Sequence, residues 1–352
     1  MTYGVAVIGA GIGAAHLEGF AKVADRFTVR TLCDIDTERA EIVASAYDGV
    51  AISTDIVAVL ADPQIDIVDI CLPPHLHFDT CVETLHAGKH VICEKPLVTS
   101  LRAADALTEA RNQSGKSVFP VFQYRYGLGT AQLQALMDAG LAGRCYAGSL
   151  ETHWDRPASY YDTDWRGTWT GEQGGALLGH AIHIHDLLYA ILGPVVQVFA
   201  DTATRVNAIE VEDCAALTIR MENGALITSS VALGSAENMS RLRLMFEGFT
   251  VESDHAPYAP AESGWRFLAR MPTQQNQIDR VLSQVTAAIS GYAGLFHAVA
   301  DALDGRPGRE VTLADGRRSL EFVTAAYASA RQNAPIALPL GPDHPLYNGW
   351  IP

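Results

Sequence analysis

Over the first 122 residues, short apolar runs alternate with longer stretches whose apolar residues recur at helical spacing. Strands are expected at residues 4–8, 28–33, 65–72, 90–93 and 117–122. Helices are expected at 15–21, 37–47, 56–61, 78–87 and 101–113. The run at 65–72 is apolar throughout except for Asp69, the mark of a parallel strand buried on both faces. Repeating βαβ units of this kind build a doubly wound parallel sheet. Beyond residue 123 the pattern changes. A helix at 130–139 precedes an alternating strand at 144–154, and a helix runs from about 175 to Gly193. Alternating strands follow at 196–203, 213–221, 225–233 and 241–246, and the Glu222-Asn223-Gly224 turn suits an antiparallel hairpin. Helices at 274–304 and 317–331 and a strand at 336–340 close the pattern. The tail at 343–350 is too aromatic for a free end and is expected to dock, a neighbouring subunit being one acceptor.

The expected fold is α/β: a doubly wound Rossmann domain over residues 1–122, then an α/β domain over 123–352 whose alternating strands fit antiparallel hairpins. A chain of 352 residues is long for a single core, in keeping with two domains. The net charge of −15 argues against nucleic acid or an anionic membrane surface as partner. No apolar run reaches the roughly 18 residues a membrane helix needs. The start enters a strand without a basic region, so no signal peptide is expected. The six cysteines are scattered without metal-ligand spacing and read as reduced thiols of a cytoplasmic protein.

The first strand runs into Gly9-Ala10-Gly11-Ile12-Gly13-Ala14 and then a helix, the strand–turn–helix setting of a dinucleotide site. Gly9 permits the tight turn, Gly11 lets a pyrophosphate approach the backbone, and small Ala14 lets helix pack on strand. The second strand ends in Asp34-Ile35-Asp36. A carboxylate at Asp34 accepts from ribose hydroxyls and repels a 2′-phosphate, which favours NAD over NADP. Arg39 flanks the adenine or tolerates that phosphate. Leu72, Pro73, His77, Glu94 and Lys95 follow strand ends and should reach one edge of the sheet, though His77 equally suits a helix cap. In His90-Val91-Ile92-Cys93-Glu94-Lys95-Pro96 a strand stops at two opposite charges and a proline. Lys95 there either orients a substrate oxygen or forms a solvated pair with Glu94.

In the second domain the segment 160–169 is rich in Tyr, Trp, Arg and Asp, with Tyr161, Trp165 and Arg166 its central members. Such a loop suits a carbohydrate, or it plugs a subunit contact. Downstream, His180, His183 and Asp186 recur every three residues and share roughly one helix face, while His185 projects elsewhere. Imidazoles and a carboxylate at this spacing suit either a metal or a proton relay.

Gly9-x-Gly11-x-x-Ala14, Cys33-Asp34-Ile35-Asp36, Pro73-Pro74-x-x-His77, Ala87-Gly88-Lys89-His90-Val91 and Glu94-Lys95-Pro96, in this order and spacing, resemble the glucose–fructose oxidoreductase / inositol dehydrogenase / MocA family. The resemblance covers almost the whole chain. It implies hydride exchange between a nicotinamide cofactor and a hydroxyl carbon of a sugar, sugar acid or cyclitol. It assigns the catalytic roles to Lys95 and His183. Arg125, Tyr161, Trp165, Arg166, His180 and Asp186 are then expected at the substrate. Gly9, Gly11, Ile12, Gly13, Asp34, Ile35, Arg39, Leu72, Pro73, His77, Glu94, Lys95, Gln123, Trp165 and Arg166 are expected at the cofactor, and no metal is implied. The resemblance also implies that the second domain carries a large, mostly antiparallel open sheet, through which a homodimer or homotetramer forms. One departure stands out: the family often carries an aspartate four residues before the histidine, where this chain has Gly179, and His180 is the nearest replacement. Two rival functions share these motifs: an NAD-assisted glycoside-cleaving lyase or hydrolase, and a non-catalytic NAD-binding regulator.

Overall fold

In the computed structural model, which describes residues 2–352, the apolar runs of the first third become strands. β1 (Tyr3–Ile8), α1 (Gly13–Ala21), β2 (Phe27–Cys33), α2 (Thr37–Ala44), β3 (Ala51–Ser53), α3 (Ile56–Ala61), β4 (Ile67–Ile70), α4 (His77–His86), β5 (His90–Cys93), α5 (Leu101–Ser114) and β6 (Val118–Pro120) follow in turn. Side chains punctuate them. Asp36 caps α2 by accepting from the Arg39 amide, Asp55 caps α3, and Ser100 caps α5. Gly115, at φ 67°, ends α5. The strands form one parallel sheet in the order β3-β2-β1-β4-β5-β6. Both faces are covered: Val5, Ala6, Val7, Ile67, Val68, Val91 and Ile92 are wholly buried, which is why these runs do not alternate.

The strand order reverses between β1 and β4, the switch point where open sheets bind ligands. Register then decides what stands there. Ile8 pairs with Cys33 and with Ile70, and Ile70 pairs with Cys93. Gly9, Asp34, Cys71 and Glu94 therefore leave the sheet side by side.

The remaining chain holds α6 (Leu128–Asp138), β7 (Cys145–Asp155), α7 (Ile182–Leu192), β8 (Val195–Ala203), β9 (Cys214–Met221), β10 (Leu226–Ala232), β11 (Gly234–Phe246), β12 (Phe249–Glu252), β13 (Arg266–Ala269), α8 (Gln275–Leu282), α9 (Gly291–Leu303), α10 (Leu313–Gln332) and β14 (Ile336–Ala337). The second sheet runs β13-β12-β11-β7-β10-β9-β8-β14, antiparallel except for β7 beside β10. The Glu222–Gly224 turn joins β9 to β10 as the alternation requires. Three details depart from the sequence pattern. The helix expected over 274–304 is two helices, α9 starting at Gly291 in a left-handed conformation (φ 57°). β12 and β13 were not anticipated. The segment before α7 is a π-helical turn, Leu177–Ala181, so His180 and His183 do not follow a regular α-helical spacing.

The chain divides into two compact units. One contains the described residues up to Val121 together with Tyr292–Arg317; the other contains Phe122–Gly291 and Arg318–Pro352. In the first unit Phe296 stacks on Phe20 at 3.8 Å, and Arg26 pairs with Asp301 and Asp304 at 3.1 and 2.9 Å. In the second unit the aromatic tail docks on its own chain. Trp350 is 1% exposed, and its indole N–H donates to the Gln173 carbonyl at 2.5 Å. Among the described residues no helix is long and apolar enough to cross a membrane.

Candidate active site

The first unit holds the glycine turn. Gly9 has φ 104°, and a Cβ there would stand 2.5 Å from the Cys71 carbonyl. A Cβ at Gly11 would meet nothing within 4 Å, so this side of the turn is open to a ligand. Helix–strand packing is made at Gly13 rather than Ala14: a Cβ at Gly13 would lie 2.9 Å from Val7, whereas Ala14 is only half-buried. Asp34 accepts from the Ala10 and Asp36 amides at 2.6 and 2.8 Å and from the Arg39 guanidinium at 2.9 Å. Burial alone would raise its pKa, but these donors outweigh burial and hold the carboxyl below its ordinary value. Arg39 is thus engaged by Asp34. Ile12 and Ile35 are 45% and 92% exposed beside this turn. Leu72 and Pro73 follow β4 half-buried. His77 is fully buried as the first residue of α4, its nitrogens 2.8 Å from the Pro96 carbonyl and 2.7 Å from the Leu72 carbonyl. It ties the loop after β4 to the loop after β5, and burial lowers its pKa.

Sequence reasoning missed His16. On α1, immediately after the glycine turn, it is wholly buried. Its Nδ1 lies 2.8 Å from Asp69 Oδ2 and its Nε2 3.1 Å from Glu94 Oε1. Carboxylates face both nitrogens, an arrangement that favours the imidazolium, which donates from both, although burial also raises the Asp69 pKa. Desolvation opposes that charge, but Asp69 outweighs it and lifts the pKa well above that of a free imidazole. Tyr292 packs on the imidazole at 4.4 Å. Glu94 in turn accepts from the Lys95 amide at 2.9 Å, and the Lys95 side chain is half-buried. Cys71 Sγ is 3.4 Å from His16 Nδ1. His16, Asp69 and Cys71 converge closely enough to consider a metal. However, a direct hydrogen bond joins His16 to Asp69, and burial pushes the Cys71 thiol up to about 12, so the trio is a hydrogen-bonded charge cluster.

In the second unit a carboxylate organises the histidine-bearing helix. Glu212, fully desolvated, accepts from the Gly175 and Leu177 amides at 3.1 and 2.9 Å and from the Tyr327 hydroxyl. It satisfies amides at the start of the helical segment. Burial raises its pKa to about 7 against these donors. His183 is 5% exposed, stacked on Tyr124 at 4.8 Å. Asp186 is held by Arg125 in a two-bond pair of 2.7 and 2.6 Å. His185 is a core residue: its Nε2 is 2.9 Å from Ser229 Oγ, and burial lowers its pKa to about 3. Gln123 is 8% exposed, and its Oε1 has no hydrogen-bond partner among the described residues. Near Gly179 a second acid appears. A Cβ at Gly179 would lie 3.8 Å from Glu172 Oε1, so Glu172 stands closer to the position of the absent aspartate than the sequence suggested.

The loop residues gather around Tyr160. Arg166 lies over the Tyr160 ring at 4.1 Å and over Trp165 at 4.5 Å, with Glu172 3.6 Å away. Tyr161 meets Tyr160 edge-on. Arg156, which the sequence reading did not single out, donates through Nε to His180 Nε2 at 3.1 Å.

Comparison with known proteins agrees with this layout. The family model described as "Oxidoreductase family, NAD-binding Rossmann fold" matches residues 3–122, and that of the GFO/IDH/MocA C-terminal domain matches 130–252. Inositol 2-dehydrogenase of Salmonella typhimurium (strain LT2) is 31% identical over 46% of this chain and 52% of its own length. D-glucoside 3-dehydrogenase of Escherichia coli (strain K12) is 26% identical over 86% of this chain and 91% of its own. The chain spans about half the length of several of the curated relatives it matches. Among solved structures, the WlbA dehydrogenase from Bordetella pertussis in complex with NADH and UDP-GlcNAcA has a TM-score of 0.82 and 28% identity, covering 97% of this chain and all of that one.

Proposed function

The chain belongs to the Gfo/Idh/MocA oxidoreductase family, and from that premise we propose that it is an NAD-dependent dehydrogenase acting on a hydroxyl carbon of a sugar, sugar acid or cyclitol. The observation that carries this reading is Glu94-Lys95-Pro96 at the carboxyl edge of an NAD-binding Rossmann sheet, with Glu94 tied to a buried imidazolium. The dehydrogenases among its relatives act on inositol and on glucosides by name, and the WlbA structure holds a nucleotide-linked sugar acid. The residues around the glycine turn fit NAD: an open face at Gly11, two exposed isoleucines and an ionised Asp34. Bound NAD supplies the hydride acceptor.

In this reading Asp34 holds the adenosine ribose hydroxyls. Lys95 donates to the substrate oxygen and lowers the cost of its developing negative charge. His183 takes the hydroxyl proton, its ring plane set by Tyr124. His180 and the Tyr160–Arg166 loop hold the sugar. Homodimer or homotetramer assembly through the second sheet, and the cytoplasm as location, belong to the same proposal.

Two measurements test it. With purified protein and excess NAD, absorbance of NADH should rise steadily with one class among sugars, sugar acids and cyclitols. Release of an aglycone from a glycoside without NADH would replace the reading by redox-assisted cleavage. Asp34→Ala should weaken NAD about 10- to 100-fold, the worth of charge-assisted hydrogen bonds, and NADP much less. Equal losses for both would remove Asp34 from ribose recognition.

A further inference from the structure

We propose that Arg156, supported by Arg166, is an oxyanion subsite, and that the substrate is an acidic sugar whose carboxylate or phosphate it binds. This rests on the dehydrogenase reading for the word substrate; the subsite itself rests on geometry. Arg156 leaves the end of β7 with its guanidinium over two aromatic faces, 4.7 Å from the Trp154 ring centre and 4.8 Å from that of Tyr160. Arg166 lies over Tyr160 as well, at 4.1 Å. One tyrosine ring thus holds two guanidiniums within a Debye length of each other, where like charges repel.

Their compensation is unequal. Arg166 has Glu172 at 3.6 Å. Arg156 forms no salt bridge with a carboxylate among the described residues, although the chain carries 40 acids against 25 basic residues. Its acceptors are all neutral: His180 Nε2 at 3.1 Å, the Asp155 carbonyl at 2.9 Å and the Tyr258 hydroxyl at 3.1 Å. These use three of the five N–H groups a guanidinium carries. Donation to His180 Nε2 also fixes that imidazole as neutral, with its proton on Nδ1. The remaining N–H groups match a planar carboxylate or a phosphate, and the aromatic rings already fix the side chain's rotamer. Cation–π stacking alone explains a pinned loop but predicts no preference for charged ligands.

The test uses the full chain loaded with NAD and compares glucuronate, glucose 6-phosphate and glucose by calorimetry, with NADH formation read in parallel. The wild type should bind at least one acidic sugar about 10- to 100-fold tighter than glucose, as a charge-assisted pair implies. In Arg156→Gln that ratio should fall close to one, with NAD affinity retained, and Arg156→Lys should keep part of it. The better of glucuronate and the phosphate identifies the anion. Equal binding of acidic and neutral sugars, or a preference untouched in Arg156→Gln, overturns the subsite. NADH formed from neutral sugars alone would leave the dehydrogenase standing without it. An acid preference lost in Arg156→Gln, with no NADH from any sugar, would leave the subsite and remove the dehydrogenase.

Discussion

Lys95→Ala is expected to lower kcat by roughly 10²- to 10⁴-fold, the range for a group that donates to the reacting oxygen, while NAD affinity stays near that of the wild type. The separation follows from how the lysine is held. Its backbone amide donates to Glu94 Oε2 at 2.9 Å. Alanine keeps that amide, so Glu94, its link to His16 and the end of β5 stay in place. Only the ammonium is lost. Steady-state kinetics beside NAD titration read the two effects separately. Unchanged kcat would take Lys95 out of the mechanism. A parallel collapse of NAD binding would make it a structural residue.

Asp69→Ala is expected to destabilise the protein by about 3–5 kcal/mol, as removal of one partner from a buried ion pair does. His16 and Asp69 are both wholly buried, so alanine leaves the buried imidazole without its ion-pair partner. The pH dependence carries the same sign. His16 has a folded-state pKa raised above 6.5, so the folded chain binds the proton more tightly than the unfolded chain. Its stabilisation is complete below pH 6.5 and is lost as pH rises through the folded value. The denaturant midpoint of the wild type should therefore fall on the alkaline side. His16→Gln, which cannot titrate, should lose that part of the slope. A flat profile in the wild type, or an unfolding free energy of Asp69→Ala within about 0.5 kcal/mol of the wild type's, would contradict the charged cluster.

Much of the first unit is legible in the sequence because its signals are local. Continuous apolar runs, a glycine turn between strand and helix, and an acid at the end of β2 lie within a few residues of each other. The His16 cluster is not local. Asp69 and Glu94 stand 53 and 78 residues further along, and only the parallel register of β1, β4 and β5 brings them to one histidine. A histidine one turn after a glycine motif was the available hint. The return of Tyr292–Arg317 to the first unit has the same long-range cause: Phe296 is specified by Phe20, far away in sequence. In the second unit the histidine run was readable. Its spacing was not, because the π-helical turn at Leu177–Ala181 shifts His180. Arg156 went unread because a single arginine after a strand gives no pattern until its guanidinium is seen over the Trp154 and Tyr160 rings.

The most direct test of the central claim follows one hydrogen. Once a substrate is found, it is offered with deuterium on the carbon that bears the reacting hydroxyl, and the recovered cofactor is weighed by mass spectrometry. Hydride transfer predicts NADH one mass unit heavier, deuterated at nicotinamide C4, in step with product. Product that keeps its deuterium while NADH stays light would show that this carbon is not the hydride donor, and the account would fall.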